Sequence, residues 1–440
     1  MEISLQQILD ARETRVCRQK QLLDQYGKPL LCFTMNIPGP VKYDRDVAIG
    51  FFIGNRLLCN ALPKNRVLYA RQYRESTGAE SYYVVDIPPE ELKKIAMDLE
   101  DTDPIGRLFD MDVLCPDGSK LNREQPRKCL ICDQDAAICG RNRTHGLESL
   151  LDKTGFLLYL TARQYLAEYI GVQAYLSLNQ EVCTTPKPGL VDRNNRGSHK
   201  DMDIRHFFAS ANALRPYFCQ CAETGYLCRD LKAEECFEKL RSLGKEAEKT
   251  MLRATGGANT HKGAIFSLGL LCAAAGRLNP DAWQAETLLK ECAALATGIT
   301  QRDLGNLLPE QAKTVGETLY LQYGITGIRG QAEAGFPTVL NIGLPMLKNT
   351  LEKGYDLNDA GSITLLHLLA ATDDTNLIHR SDRQTQLQIR AEVAQMLEKD
   401  PYPNKEAIQA LDEAFIQKNL SPGGTADLLA LTYFLYFLSA

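Results

Sequence analysis

Apolar positions follow two rhythms along this chain, and the change falls near residue 150. Before it, short apolar runs end at turn-forming residues. Residues 29–35 (PLLCFTM) are rich in strand formers and stop at a Pro-Gly-Pro break at 38–40. Residues 81–87 (SYYVVDI) predict a second strand, closed by Pro88 and Pro89. Residues 108–114 (LFDMDVL) alternate apolar and polar positions before a Pro-Asp-Gly-Ser turn at 116–119. Helical spacing predicts helices over 3–25, 44–58 and 89–100.

After that point the strand signal is lost. Helical spacing recurs over 155–180, 205–225, 230–252, 261–276, 280–297, 311–323, 361–371, 384–398 and 405–417. Residues 428–440 are the most apolar stretch, shorter than the ~20 residues a membrane helix needs, and are read as a buried helix. The expected fold is an α+β N-terminal domain, residues 1–150, followed by a larger all-α domain, residues 151–440.

Composition narrows the function. A formal net charge of -5 argues against a general electrostatic grip on nucleic acid or an anionic membrane. A phosphate-rich ligand must therefore be held by a few placed cations and backbone amides. The 14 cysteines are scattered, and the charged N-terminus lacks a signal-peptide core, so reduced thiols in a cytoplasmic protein are expected.

Five polar, glycine-containing knots separate the apolar helices. The densest spans 184–203, where two prolines and two glycines frame Lys187, Asp192, Arg193, His199, Asp201 and Asp203. Asp201 and Asp203 precede a predicted helix; they could cap its N-terminus or bind Mg²⁺ through oxygen. The second knot, 255–263, carries Gly256, Gly257, Asn259, His261 and Lys262 into an apolar helix. Such a loop can cradle an anion, but it lacks P-loop spacing, and on spacing alone a plain turn is preferred. The third knot, 324–335, holds Arg329, a planar phosphate clamp, and Glu333, which could pair with it or bind metal. The fourth, 373–380, holds Asp374 and Asn376; the fifth, 421–428, holds Gly423, Gly424 and Asp427. Five such knots between helices suggest one shared site.

In the N-terminal half, Asp110 and Asp112 fall on one face of a predicted strand, since residues two apart share a face. Two such carboxylates repel unless offset, and Mg²⁺ is the usual answer. An exposed polar face is the alternative; the metal reading is preferred because Phe109, Met111 and Val113 would be buried opposite. Farther on, Cys129, Cys132, Cys139 and His145 could make a zinc site with three sulfur ligands and one nitrogen. A second C-x-x-C is missing, so reduced thiols on a helix are preferred and zinc is not expected. Arg127, Arg141 and Arg143 are phosphate candidates.

These motifs carry two resemblances. TPKPGLVDRxNxGxHxDMD, GANTHKG, GITGIRGxAExGFP, DTN and SPGGTADLLA, in that order from Leu157 to the C-terminus, resemble triphosphoribosyl-dephospho-coenzyme A synthases. Gln331 stands where that family favours Glu, and Ser198 where Ala is usual. GRLFDMDV, PRKCLIC, CxRxRTH and the upstream MNIPGP resemble the holo-acyl-carrier-protein synthase of citrate lyase, over residues 3–146.

The first resemblance implies that ATP is a ribosyl donor. The 2′-hydroxyl of 3′-dephospho-CoA attacks the anomeric carbon, and adenine leaves. Asp201 and Asp203, with Asp374 and Asp427, would then supply Mg²⁺ binding and charge. His199 or His261 would handle protons, and Lys187, Lys262 and Arg329 would hold phosphates. The second implies transfer of phosphoribosyl-dephospho-CoA to a Ser of the apo acyl-carrier subunit of citrate lyase, with release of pyrophosphate. Asp110 and Asp112 would hold Mg²⁺ there. The other readings are the same service for malonate decarboxylase, or a helical nucleotide-binding module with one active half.

Overall fold

The computed structural model describes residues 3–439. The chain forms two compact units: one runs to Leu166 and includes Asn279–Asp281, and the other takes the remainder from Ala167. The helix Leu147–Thr161, past the expected boundary at 150, belongs to the first unit. Its Leu157 and Leu158 join that unit's core, which is what draws the division later in the chain.

The first unit is built on a five-stranded antiparallel sheet: β1 (Leu30–Met35), β2 (Val67–Glu75), β3 (Gly78–Val85), β4 (Phe109–Leu114) and β5 (Lys120–Leu121), in the order β2-β3-β1-β4-β5. Three of these match the expected strands. Alternation assigns the faces. Leu31 and Phe33 of β1, with Met111 and Val113 opposite, pack on Val47, Phe51, Leu92 and Ala96 from the helices Arg45–Ala61 and Pro89–Thr102. The other face turns Leu30, Cys32, Tyr82 and Val84 toward Leu22 and Leu23 of the helix Leu5–Tyr26. β2 was not expected; its Arg71, Arg74 and Glu75 suit a solvated edge strand.

The second unit is helical throughout its described residues. At its centre, Lys262–Arg277 is buried from Ala264 to Gly276 on all sides except Phe266. It packs against Ala167–Cys183, Ile204–Leu227 and Gly423–Ser439. A helix apolar all round has to sit in a core. The expected helix over 155–180 is interrupted by a π turn at Ala162–Leu166, where the chain passes from one unit to the other. Short helices at Ile299–Leu304, Gly327–Glu333, Leu344–Glu352 and Thr375–Arg380 were not expected. Among the described residues no helix is long and apolar enough to cross a membrane.

Candidate active sites

All five knots of the second unit meet around one cavity of about 1100 Å³. That is above the usual ~300–1,000 Å³ of a small-molecule pocket. From the first knot, Lys187 enters the floor with 1% of its surface exposed, and its ammonium bonds the carboxylate of Glu181, itself 3% exposed. The loop that delivers Lys187 is clasped from inside. Asp192 accepts from the backbone amides of Lys187 at 3.2 Å, Asn194 at 2.7 Å and Asn195 at 3.0 Å. Asp192 thus shapes the loop rather than lining the cavity.

The fourth and fifth knots supply two more carboxylates. Asp374 is buried and fully bonded, by Thr425 N at 2.7 Å, Thr425 Oγ1 at 2.8 Å, Asn376 N at 3.0 Å and Leu377 N at 3.1 Å. It fixes the start of the helix Gly423–Ser439 on the cavity wall beside Asn376. Asp427 lines the cavity, and its carboxylate also accepts a hydrogen bond from the Ala264 backbone. Burial, then the charges of Glu181 and Asp374, push its carboxyl well above its ordinary value, and burial raises Glu181 and Asp374 as well. Close by, a Cβ on Gly263 would stand 1.9 Å from Asp427 Oδ2, so a glycine is needed for that carboxylate to reach the start of the helix Lys262–Arg277.

Two histidines line the same space, both neutral. His199 is held down to about 4, by burial and then by Arg380. Arg380 Nη2 donates to His199 Nδ1 at 3.0 Å, so the proton lies on Nε2, 2.9 Å from Ser421 Oγ. His261 is held down to about 3, by burial and then by Lys187. Its Nδ1 bonds Ser210 Oγ at 2.7 Å, and its Nε2 is buried without a partner. The expectation that these histidines carry protons therefore meets two groups that resist protonation near neutral pH. Thr260 Oγ1 and Gln331 Oε1 are also buried without partners, and both residues line the cavity.

Cations form the rim. Arg383 and Arg390 flank Asp373, Arg380 faces His199, and Lys313 lines the same cavity. Lys262 pairs with Glu248 at 3.1 Å and Arg329 with Asp303 at 3.2 Å, both at the cavity edge.

Other expected site residues lie elsewhere. Asp203 is the N-cap of Ile204–Leu227, in a capping box with His206 and an ion pair to Arg205 at 2.7 Å. Hydrogen bonds from Arg205 and then His206 hold its carboxyl far below the ordinary range. Of the two roles left open, the structure gives Asp203 the cap. Asp201 is exposed, 4.0 Å from His199, and outside the cavity. Glu333 accepts from Gly298 N at 2.7 Å and Thr300 N at 3.2 Å, bracing the neighbouring helix start. Gly256 and Gly257 close the preceding helix with φ of 63° and 100°, also away from the cavity.

In the first unit, β4 behaves as its alternation predicts. Phe109, Met111 and Val113 are buried, while Asp110 and Asp112 share the opposite face. Asp110 reaches solvent, yet the surrounding protein and then the Asp112 charge raise its carboxyl. Asp112 pairs with Lys120 at 2.6 Å. Cross-strand register puts Thr34 beside Asp110 and Cys32 beside Asp112, with Glu80 and Tyr82 one strand farther. Arg15 and Arg18 of the covering helix reach Glu80. Arg127 is spent on the backbone, donating to Phe109 O at 2.6 Å and Gly106 O at 3.0 Å. Arg141 and Arg143 lie exposed at the end of a short helix, Ala136–Asn142.

Residues 3–159 match CitX, the apo-citrate lyase phosphoribosyl-dephospho-CoA transferases, and residues 167–440 match CitG, the ATP:dephospho-CoA triphosphoribosyl transferases. Protein CitXG of Haemophilus influenzae is 38% identical over 464 residues, covering 100% of this chain and 96% of the relative. The chain belongs to both families, CitX followed by CitG. Protein CitXG of Leuconostoc mesenteroides subsp. cremoris is 33% identical over 454 residues, covering 98% of this chain and 97% of the relative. A 2-(5''-triphosphoribosyl)-3'-dephosphocoenzyme-A synthase of Pectobacterium atrosepticum is 40% identical over 292 residues, covering 64% of this chain and 96% of the relative. The CitX–CitG chain is thus a bifunctional transferase of citrate lyase prosthetic-group synthesis, and the malonate decarboxylase and binding-module readings are not favoured.

In the CitG unit, sequence reasoning missed Glu181, Lys313, Arg383 and Arg390. Glu181 had a readable signal, a carboxylate falling at helical spacing on the face that buries Ile170, Ala174 and Leu178. Arg383 and Arg390 are seven residues apart, two turns of one face, a spacing shared with ordinary solvated arginines.

Proposed function

We propose that the cavity of the CitG unit performs the ribosyl transfer at the Glu181–Lys187–Asp427 floor, with the triphosphate of ATP lying along the arginine rim. One observation carries this reading: three buried polar atoms without partners, Thr260 Oγ1, His261 Nε2 and Gln331 Oε1, belong to residues that line the same cavity as the carboxylates Glu181, Asp374 and Asp427. Buried polar groups are almost always satisfied, so these await a polar ligand.

Each group then has a role set by its charge. Asp427, in its ionised form, takes the proton of the attacking 2′-hydroxyl of 3′-dephospho-CoA. The carboxylate cluster favours the positive charge that grows on the ribose as adenine departs. His261 and Gln331, both uncharged, hydrogen-bond the leaving base. Arg380, Arg383, Arg390 and Lys313 hold the phosphates. Mg²⁺ fits beside Glu181, where Lys187 alone offsets the carboxylates, and would neutralise the triphosphate. His199 orients Arg380.

In the CitX unit, Asp110 and Asp112 would hold Mg²⁺ for attack by the carrier serine, with Arg141 and Arg143 facing the departing pyrophosphate. The protein partner is the apo acyl-carrier subunit of citrate lyase. Fourteen free cysteines suit a reducing cytoplasm.

The test is adenine release from ATP and 3′-dephospho-CoA by Asp427→Asn. A loss of at least ~100-fold in kcat, with ATP binding retained, is expected for a lost base. Activity within about threefold of the parent would remove Asp427 from this role.

A further inference from the structure

We propose that Cys129, Cys132, Cys139 and His145 bind one zinc ion that holds the segment 122–146 of the CitX unit in shape. One donor atom from each of the four residues can be chosen so that all lie within 4.8 Å of one another. Cys132 Sγ is 3.5 Å from Cys139 Sγ and 3.2 Å from His145 Nε2. Tetrahedral zinc, with Zn–S near ~2.3 Å and Zn–N near ~2.0 Å, separates its ligands by roughly 3.5–3.8 Å. The four donors stand close to that arrangement.

The local backbone explains how ligands so unevenly spaced converge. Cys129 and Cys132 share a tight loop, closed by Cys129 N to Gln134 O at 2.7 Å and by the bridge between Lys128 and Asp135. Ile131 N points at Cys129 Sγ, 3.5 Å away. Asp135 then caps the helix Ala136–Asn142, which presents Cys139. Arg143, with φ of 49°, reverses the chain, and Thr144 N bonds Cys139 O at 3.1 Å, bringing His145 back beside the thiols. A second C-x-x-C is unnecessary because one helical turn and a left-handed residue perform its work.

Arg123, paired with Glu100 and Asp101, and Arg127, bonded to Phe109 O, anchor the first part of the segment, but little apolar burial holds the rest. Between 122 and 146 the only buried side chains are Cys129 and Cys139. Ile131 and Ile138 are 38% and 50% exposed, and Leu130 packs only in part against the main core. So short a stretch cannot bury a core of its own. Thiol contacts are weak, whereas the binding of a structural zinc adds directly to the stability of the folded segment. Four protein ligands leave no open position, so the metal is structural rather than catalytic. It would fix Arg141 and Arg143, and through the bonds of Arg107 Nη2 to Lys128 O at 2.7 Å and Cys129 O at 2.9 Å it would tie the segment to the turn leading into β4.

The experiment is elemental analysis and zinc X-ray absorption on the full-length protein, purified without chelators from zinc-supplemented cells. About one zinc per chain is expected, with three sulfurs near ~2.3 Å and one nitrogen near ~2.0 Å. Cys132→Ser and Cys139→Ser should each weaken zinc binding at least tenfold, while His145→Cys, which restores a ligand, keeps it. Adenine release by the CitG unit should be unchanged in all three, showing that the CitG unit is folded and the effect is confined to the CitX unit. A parent protein with no zinc after reconstitution, a shell lacking sulfur, an iron–sulfur cluster, or a disulfide between Cys132 and Cys139 would each overturn the proposal.

Discussion

Lys187→Met tests the floor of the CitG cavity directly. The change keeps the length of the side chain but removes the ammonium from a site where Lys187 is 1% exposed and Glu181 is 3% exposed. Glu181 is then either charged and unpaired or forced to take a proton. Breaking a buried pair from one side costs about 3–5 kcal/mol. For a unit of this size that lowers Tm by roughly 6–20 °C. Replacing both partners, Glu181→Leu with Lys187→Met, removes the stranded charge and should cost clearly less than Lys187→Met alone. The loss should also depend on pH. Without Lys187 the Glu181 carboxyl rises further, so the deficit is small below its unfolded value of about 4.3 and grows as pH rises toward the folded value. The chain's single tryptophan, Trp283, provides the assay. It is 6% exposed in the CitG unit, with Nε1 bonded to Ala275 O at 2.9 Å, so its fluorescence follows unfolding of that unit. Measurements belong in chelator without nucleotide. A deficit under about 1 kcal/mol for Lys187→Met would contradict a buried, structurally required pair.

Three further outcomes are expected. Gly263→Ala puts a Cβ 1.9 Å from Asp427 Oδ2 and should cut adenine release at least tenfold by displacing that carboxylate; unchanged steady-state rates would show that its position is unimportant. Asp203→Ala should cost about 1 kcal/mol of stability through the lost N-cap, with kcat/KM for ATP within about threefold; a loss of 100-fold would return Asp203 to the chemistry. His199 stays neutral when folded, at about 4 against an unfolded value near ~6.5. Its contribution, up to ~3 kcal/mol, is therefore present above pH ~6.5 and is lost as pH falls toward 4; a His199→Asn variant with the same slope over that range, followed by Trp283 fluorescence, would refute it.

The legible parts of this protein were those where one residue pattern has one physical outcome. Phe109, Met111 and Val113 alternating with Asp110 and Asp112 permit only a strand with an apolar and an acidic face. The five glycine-containing knots between apolar helices converge as expected on one cavity. Choosing among carboxylates within a knot was not legible, because capping and metal binding use the same side chains. Asp203 caps a helix, Asp192 clasps a loop, and the floor carboxylate that pairs with Lys187 is Glu181, which lies outside every knot. The cysteine cluster could be named from the sequence but not preferred, because its convergence depends on a short helix and on Arg143 adopting a left-handed turn, which no cysteine spacing reveals.

A crystal structure of the full chain with a non-reacting ATP analogue and 3′-dephospho-CoA tests the site most directly. The ribose of the nucleotide should lie against Asp427, with its triphosphate along Arg380, Arg383 and Arg390 and the dephospho-CoA 2′-hydroxyl within hydrogen-bonding reach of the Asp427 carboxylate. A ribose found outside the cavity, beside Asp201 and Asp203, would contradict the assignment.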